Sequence, residues 1–486
     1  MSTRAITIWT FIVTSVAVFM VSLDNLVVTT ALPVIKHDLG ASLQGLEWTV
    51  NAYTLTFAVL LLTGAALGDR FGRKRMFLTG LAIFTAGSAA AALAPSIGWL
   101  IAARASQGVG GAIVTPLTLT ILSAAVPPAR RGLALGIWGG VSGLAVALGP
   151  VVGGAVVDGL SWQWIFWLNV PIGIALLPVA LLRLTESKGP NRSLDLPGVG
   201  LASAGLLGIV WGLVRGNEHG WTSLGVAGPI AAGLVLVGAF VAWELRAREP
   251  MVPMRFFRKR AFSAANVTSL LMSFGMFGSI FLLAQYFQIV QGYSPLESGL
   301  RTLPWTAMPI FVAPIAGILS DRIGARPLLV AGMALMAAGL GWIAVVASPT
   351  VAYVEMIPAL VMAGVGMSLY FAPVANLVLS TVRRKEEGKA SGVNNTVREV
   401  GGVFGVAVLA SVFSAVGGYA SPQLFVSGMT AALWVGAAAV AVAGIAALAI
   451  PPRQDVVPDS VSLLERGHGD GGGADGELAC EPDAAA

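Results

Sequence analysis

Charge is scarce in this chain: only 11% of its 486 residues are Asp, Glu, Lys or Arg, while 56% are apolar. A soluble domain carries about 25% charged residues, so a water-facing surface over most of the length is excluded. Cysteine is nearly absent, and one thiol, Cys480, cannot close an internal disulfide. The three histidines, His37, His219 and His468, are scattered and suggest no metal site. No G-x-x-x-x-G-K-S/T phosphate loop, G-x-S-x-G elbow or H-E-x-x-H pair occurs. Nucleotide-driven pumping and the common hydrolases therefore have no residues to work with, and the chain reads as a non-enzyme without cofactor or metal.

What fills the chain is hydrocarbon, with a mean hydropathy of +0.82. At roughly 20 residues per crossing, spans fall near 6–32, 48–67, 76–94, 98–124, 133–157, 163–182, 196–214 and 224–244. Six more fall near 262–290, 298–319, 328–347, 352–380, 390–414 and 424–450. This is an all-α polytopic membrane protein of fourteen spans. The first run is too long for a signal peptide and lacks a small-residue cleavage site.

The net charge of +5 could suggest an anionic partner, but the basic residues sit in short loops with no aromatic-interleaved face, so no nucleic acid is expected. Basic residues concentrate on the cytoplasmic side of membrane proteins. With the N-terminus inside, 24 of the 29 Lys and Arg fall in inside segments, which places both termini in the cytoplasm. Trp48, Trp99, Trp162, Trp164 and Trp221 mark outer span ends, where amphipathic rings prefer the interface. Arg outnumbers Lys 23 to 6, and with the abundant Ala and Gly this hints at a high-GC bacterial source and an inner-membrane location.

The chain also contains itself twice. The loop Leu67-Gly68-Asp69-Arg70-Phe71-Gly72-Arg73-Lys74-Arg75 returns as Leu319-Ser320-Asp321-Arg322-Ile323-Gly324-Ala325-Arg326, 252 positions later. Gly108, Gly110, Gly132, Gly136 and Gly149 return as Gly364, Gly366, Gly388, Gly392 and Gly405, 256 positions later. The step from 252 to 256 implies a small insertion in the second copy. The expected organisation is a six-helix half over 1–190, two inserted helices and linkers over 191–261, a second six-helix half over 262–450, and a disordered acidic tail over 451–486. Transporters built from repeats hold their substrate between the repeats near the bilayer midplane.

Five segments carry chemistry. In the 64–75 loop, Gly72 permits a tight turn, and Asp69 can bond Arg70, Arg73 or a helix N-terminus. Asp24 and Arg104 lie roughly 13 Å and 9 Å below the outer surface at 1.5 Å per residue. A carboxylate at that depth is costly unless paired, protonated or hydrated, so the two can pair; a snorkelling, lipid-facing Arg104 is the alternative. Gly149-Pro150-Val151-Val152-Gly153-Gly154 lets helices approach closely and can bend the fifth span. In the thirteenth span, Arg398 and Glu399 are adjacent and point to different helix faces, so each needs a partner elsewhere. Glu399 is a second candidate proton site, with a structural pair equally open. Asn25, Gln107, Asn395 and Arg398 are polar candidates for a cavity wall.

These segments resemble those of the major facilitator superfamily, and the fourteen spans place the chain near its drug:proton antiporters. Residues 65–75 resemble the family's G-x-L-x-D-R-x-G-R-K/R-K/R, with Ala65 at the first glycine. Residues 23–33 resemble L-D-x-T-V-V-N-x-A-L-P, with Leu26 and Thr29 at the usual Thr and Asn. Residues 104–110 resemble R-x-x-Q-G-x-G, and residues 149–154 resemble G-P-x-x-G-G. The resemblance implies a conformational latch at Asp69, Arg70, Gly72, Arg73, Asp321 and Arg322. It also implies proton coupling through Asp24, Arg104 and Glu399, and export associated with Gly149, Pro150, Gly153 and Gly154. The expected function is efflux of small amphipathic molecules by a monomer in lipid, powered by the proton gradient. A metabolite exporter is the nearer alternative, and a non-transporting sensor the weaker one.

The basic bias makes sidedness testable. In a Cys480→Ser background, a thiol placed at Gly418 is expected to react with an impermeant label from outside and one at Ser187 is not.

Overall fold

The computed structural model describes residues 3–127, 131–188, 194–383 and 386–452. The acidic tail beyond residue 452, with Cys480, lies outside the described residues, as do Arg130, Arg192, Arg384 and Lys385. No strand occurs among the described residues; thirteen helices are long and apolar enough to cross a membrane, and α5, 29 residues long, makes a fourteenth. The first eight are α1 (Thr3–Asp38), α2 (Leu43–Phe71), α3 (Arg73–Ala92), α4 (Ile97–Ala125), α5 (Arg131–Gly159), α6 (Trp164–Arg183), α7 (Leu196–His219) and α8 (Leu224–Glu244). The rest are α9 (Arg260–Val290), α10 (Pro295–Thr306 continued by Met308–Ile323), α11 (Ala325–Val346), α12 (Tyr353–Ser380), α13 (Glu387–Val416) and α14 (Pro422–Leu448). By crossing parity the loops after α2, α4, α6, α8, α10 and α12 share one face with the N-terminus, called here the basic face.

Helix pairing repeats. α1 packs on α5, α2 on α4, and α3 on α4 and α6, while α9 packs on α13, α10 on α12, and α11 on α12 and α14. In hydrocarbon the hydrophobic effect does not drive helices together, so close backbone approach must. At the α3–α4 crossing, a Cβ on Gly110 would meet Gly80 O at 2.7 Å and Phe84 N at 2.5 Å. At the α11–α12 crossing, a Cβ on Gly366 would meet Gly332 O and Met336 N, both at 2.5 Å. Gly80 and Phe84 lie 252 positions before Gly332 and Met336, whereas Gly110 lies 256 before Gly366. The extra residues of the second copy therefore lie between these two sites. α11 is 22 residues long against 20 for α3, and it is followed by six linking residues where α3 is followed by four.

Two seams join the halves. At the α5–α10 seam, a Cβ on Gly154 would lie 2.2 Å from Pro295 O, and one on Gly299 would lie 2.2 Å from Pro150 O. Gly149 and Gly153 face α1 instead, against Leu26 and Val27. Four residues of one motif thus lock α5 to its own half and to the other. The α2–α13 seam is built from side chains, Leu55 and Val59 against Val403 and Ala407, and α7 covers it with Ala202, Val210 and Val214. Trp48 and Trp211 meet there with tilted rings, centroids 5.7 Å apart, and Ser411 donates to Leu213 O at 2.9 Å. The inserted pair α7–α8 packs on this seam.

On the face opposite the basic loops, further bonds close the halves together. Gln288 Nε2 donates to Thr30 O at 2.9 Å, Ser294 Oγ to Asp158 Oδ2 at 2.8 Å, and the Lys36 ammonium sits 2.9 Å from the Tyr419 ring centroid. Burial, then the nearby Glu47 charge, raises the pKa of the Tyr419 hydroxyl, which donates to Gln285 Oε1 at 2.5 Å. One interface expectation is corrected here. Trp162 does not lie at a lipid boundary: it is 1% exposed, and its indole N–H donates to Asp38 at 3.0 Å. Ring size and position at a span end do not distinguish a core tryptophan from an interfacial one.

The α5–α10 contact leaves no room for a methyl group. Gly154→Ala is expected to cost about 1–3 kcal/mol, seen as a lower melting temperature. Gly317→Ala, where the nearest atom lies at an ordinary 3.5 Å, is expected to change little.

Candidate functional site

Asp24 in α1 and Arg104 in α4 meet, as their depths suggested. Arg104 Nη1 donates to Asp24 Oδ2, and both side chains are closed off from solvent. Asp24 Oδ1 accepts from Asn169 Nδ2 of α6 at 2.8 Å and from Gln107 Nε2 at 3.2 Å. Gln107 Nε2 also donates to Ser88 Oγ of α3 at 2.7 Å. Arg104 Nε donates to Thr49 O of α2 at 3.2 Å, Nη1 donates to Gln107 Oε1 at 3.0 Å, and the guanidinium lies 4.2 Å from the Tyr53 ring centroid. Five helices of the first half therefore converge on one ion pair. Gln107 belongs to this cluster and is fully buried, while Asn25 on the adjacent face is half-buried.

Asn169 and Ser88 are members the sequence reading missed. Asn169 carried a signal, being a lone amide in an apolar run. Ser88 carried none among the alanines around it.

In α13 the picture is the reverse. Arg398 Nη2 donates to Glu399 Oε1 at 3.0 Å, which corrects the expectation that neighbours on different faces must look elsewhere. Both side chains are long enough to curl round the helix and meet. Glu399 is 3% exposed, and among the described residues its buried Oε2 has no hydrogen-bond partner. Beside this pair, Asn394 Nδ2 donates to Ser269 Oγ at 2.7 Å, and Tyr370 O–H donates to the same oxygen at 2.7 Å. A cavity of about 90 Å³ opens between the basic-face halves of α12 and α13, with Arg398, Asn395 and Ser391 on one wall and Tyr370, Phe371 and Val378 on the other. Tyr53 lies within electrostatic reach of Asp24, Arg104 and Glu399, so the two charged sites are neighbours across the α2–α13 seam.

The α2–α3 turn is held inside its own half. Asp69 Oδ1 accepts from Arg73 Nε at 3.0 Å and Nη2 at 2.9 Å. Glu186, just past α6, accepts from the backbone N–H groups of Lys74 at 3.0 Å and Arg75 at 3.2 Å, an acid placed on the positive end of α3. Gly72 has φ +111°, and a Cβ there would lie 2.8 Å from the Glu186 carboxyl carbon, so only glycine fits. Arg70 is exposed beside the Phe71 ring. Gly324, 252 positions after Gly72, repeats the turn at φ +83°. Arg322 is exposed, and the Asp321 side chain lies outside the described residues. Glu186 was not anticipated, because its role comes from a fold-back 112 residues away from Lys74.

The model of the Major Facilitator Superfamily matches residues 14–406. This chain belongs to that superfamily. It is 37% identical over 402 residues to the tetracenomycin C resistance and export protein of Streptomyces glaucescens, covering 82% of this chain and 74% of that one. It is 40% identical over 405 residues to a cephamycin export protein of Amycolatopsis lactamdurans, covering 81% and 82%. Among solved structures it resembles a peptide transporter in complex with sulfate, with a TM-score of 0.67 over 91% of this chain and 94% of that one. Identity to that structure is 17%, so the likeness is one of fold.

The two carboxyls predict different costs. Asp24→Asn leaves the buried Arg104 without its counter-charge and is expected to destabilise the protein by about 3–5 kcal/mol. Glu399→Gln acts on a pair whose Arg398 is part-exposed, and about 1 kcal/mol is expected. Denaturant unfolding of the two purified variants checks the order.

Proposed function

We propose that this superfamily member exports small amphipathic molecules across a bacterial plasma membrane, with the basic face in the cytoplasm and the proton gradient as driving force. The observation that carries the reading is the cavity between α12 and α13, which joins a cation and amides to aromatic and aliphatic walls beside a buried carboxyl with an uncommitted oxygen. Such a wall suits a molecule with one polar edge and one apolar face. The closed face opposite the basic loops fits a loading state, in which substrate enters from the cytoplasm. The relatives named for tetracenomycin C and cephamycin export support the direction and the substrate class.

Proton coupling fits Glu399 better than Asp24. A proton added to Asp24 cancels the charge that Arg104 pairs with, on a carboxylate that already accepts from Arg104, Gln107 and Asn169. A proton added to Glu399 Oε2 displaces no donor among the described residues. In this reading Glu399 takes its proton while the cavity faces outward and gives it up to the higher-pH cytoplasm. The freed charge then holds Arg398 and leaves the cavity ready for substrate. Asp24 and Arg104 hold α2 with the rest of the first half, and α13 moves against it. Alternation opens the α5–α10 and α2–α13 seams in turn, and the Gly72 and Gly324 turns set the inner ends.

Proteoliposomes carrying an imposed pH gradient test this, with tetracenomycin C and a cationic dye as probes. Glu399→Gln is expected to lose gradient-driven efflux while keeping substrate exchange without net proton movement. Full gradient-driven efflux by that variant would return the carrier role to Asp24, and no flux of either probe by wild type would remove the export reading.

A further inference from the structure

The inserted pair α7–α8 ends on the basic face in two acids that the transport reading leaves unused. Asp195 caps α7: its Oδ1 accepts from Gly198 N–H at 2.9 Å and from the Trp243 indole N–H at 2.8 Å. Glu244 ends α8, is 3% exposed, and accepts at Oε2 from Val252 N–H at 3.0 Å. One oxygen of each carboxyl is left over. Asp195 Oδ2 and Glu244 Oε1 are both shut away from solvent, and among the described residues neither accepts from an N–H or O–H donor. Asp195 holds the indole of Trp243, the residue before Glu244, and so lies against the end of α8 beside the Glu244 carboxyl. Ionised carboxylates only accept, so a bond between them requires an acid proton. A single proton between those two leftover oxygens satisfies both at once.

We propose that Glu244 and Asp195 share one proton, which makes the basic-face end of the inserted pair a proton-binding clasp separate from Asp24 and Glu399. The charged group that faces Glu244 from another helix is Lys389 of α13, whose Nζ also reaches Pro250 O at 3.4 Å. Arg246, Arg248 and Glu249 of the linker are exposed to solvent. That linker is fastened to the cavity helices: Arg255 pairs with Glu386 before α13, and Lys259 Nζ donates to Thr381 O after α12. Holding a proton, the clasp ties α7, α8 and the linker to the inner end of the α2–α13 seam. Losing the proton to an alkaline cytoplasm leaves two negative charges side by side, and Glu244 turns out toward Lys389 and water. The clasp is therefore closed at low pH and opens as pH rises. The proposal rests on the transport reading only for the compartment that supplies the proton.

The test uses the full chain in lipid nanodiscs, with protons as the only ligand. Infrared difference spectra and melting temperatures are followed from mildly acidic to mildly alkaline pH. Wild type is expected to lose a carboxylic-acid carbonyl band and several degrees of melting temperature, by the roughly 4 °C per kcal/mol typical of small domains or less. Glu244→Gln places a permanent amide donor against Asp195, so it is expected to lack that band and to melt with a flatter pH slope. Asp195→Asn, which keeps the α7 cap, is expected to do the same, whereas Glu399→Gln is expected to keep the wild-type band and slope. A wild type without a titrating band, or a band and slope unchanged in both Glu244→Gln and Asp195→Asn, overturns the clasp. Neither readout involves transport, so failure here is distinguishable from failure of the export reading.

Discussion

A polar group in hydrocarbon has no water to fall back on, and this protein is organised around how fully each buried charge is answered from within. Arg104 is the extreme case. Its guanidinium bonds a carboxylate, an amide and a backbone carbonyl, and an aromatic face lies beside it, so α1, α2, α3, α4 and α6 are all tied to one cation. Removing any member strands another. In the second half Met276 and Leu360 stand 252 and 256 positions after Asp24 and Arg104. Its buried polar groups gather lower, on α13, where Glu399 keeps one oxygen without a donor.

That difference separates structure from mechanism. A carboxylate surrounded by donors is a fixed point, because changing its charge breaks several bonds. A carboxyl with a vacant oxygen changes charge without rebuilding its surroundings. Asp24 belongs to the first kind and Glu399 to the second, although both are buried acids beside an arginine. The acids at the end of the inserted pair form a third kind, in which two carboxyls supply each other's missing partner through a shared proton.

The repeated helix pairing leaves two seams, and the chain treats them unequally. The α5–α10 seam closes on glycine backbones with no spare volume, while the α2–α13 seam closes on branched side chains roofed by α7. Backbone contact is stiff, whereas side-chain contact can repack. The roofed seam is also the one beside Glu399 and the cavity. A pair of extra helices on that seam alone gives the linker after α8 a direct mechanical route to the inner ends of α12 and α13.

Much of the architecture was legible in the residues because the bilayer imposes simple rules on them. Span length, the basic bias of alternate loops and the repeated glycine turns each follow from local physics, and depth offered the pairing of Asp24 with Arg104 as one of two readings. Trp162 misled because an aromatic at a span end obeys the same rule whether lipid or protein covers it. The Arg398–Glu399 contact misled because helix-face geometry describes Cβ directions, and long side chains do not stop there. Tertiary structure alone decided that Asn169 and Ser88 complete the Asp24 cluster, that Glu186 caps α3 from 112 residues away, and that Asp195 meets Glu244. Each of these depends on which helix lies beside which, and a sequence records a residue's own helix but not its neighbour's.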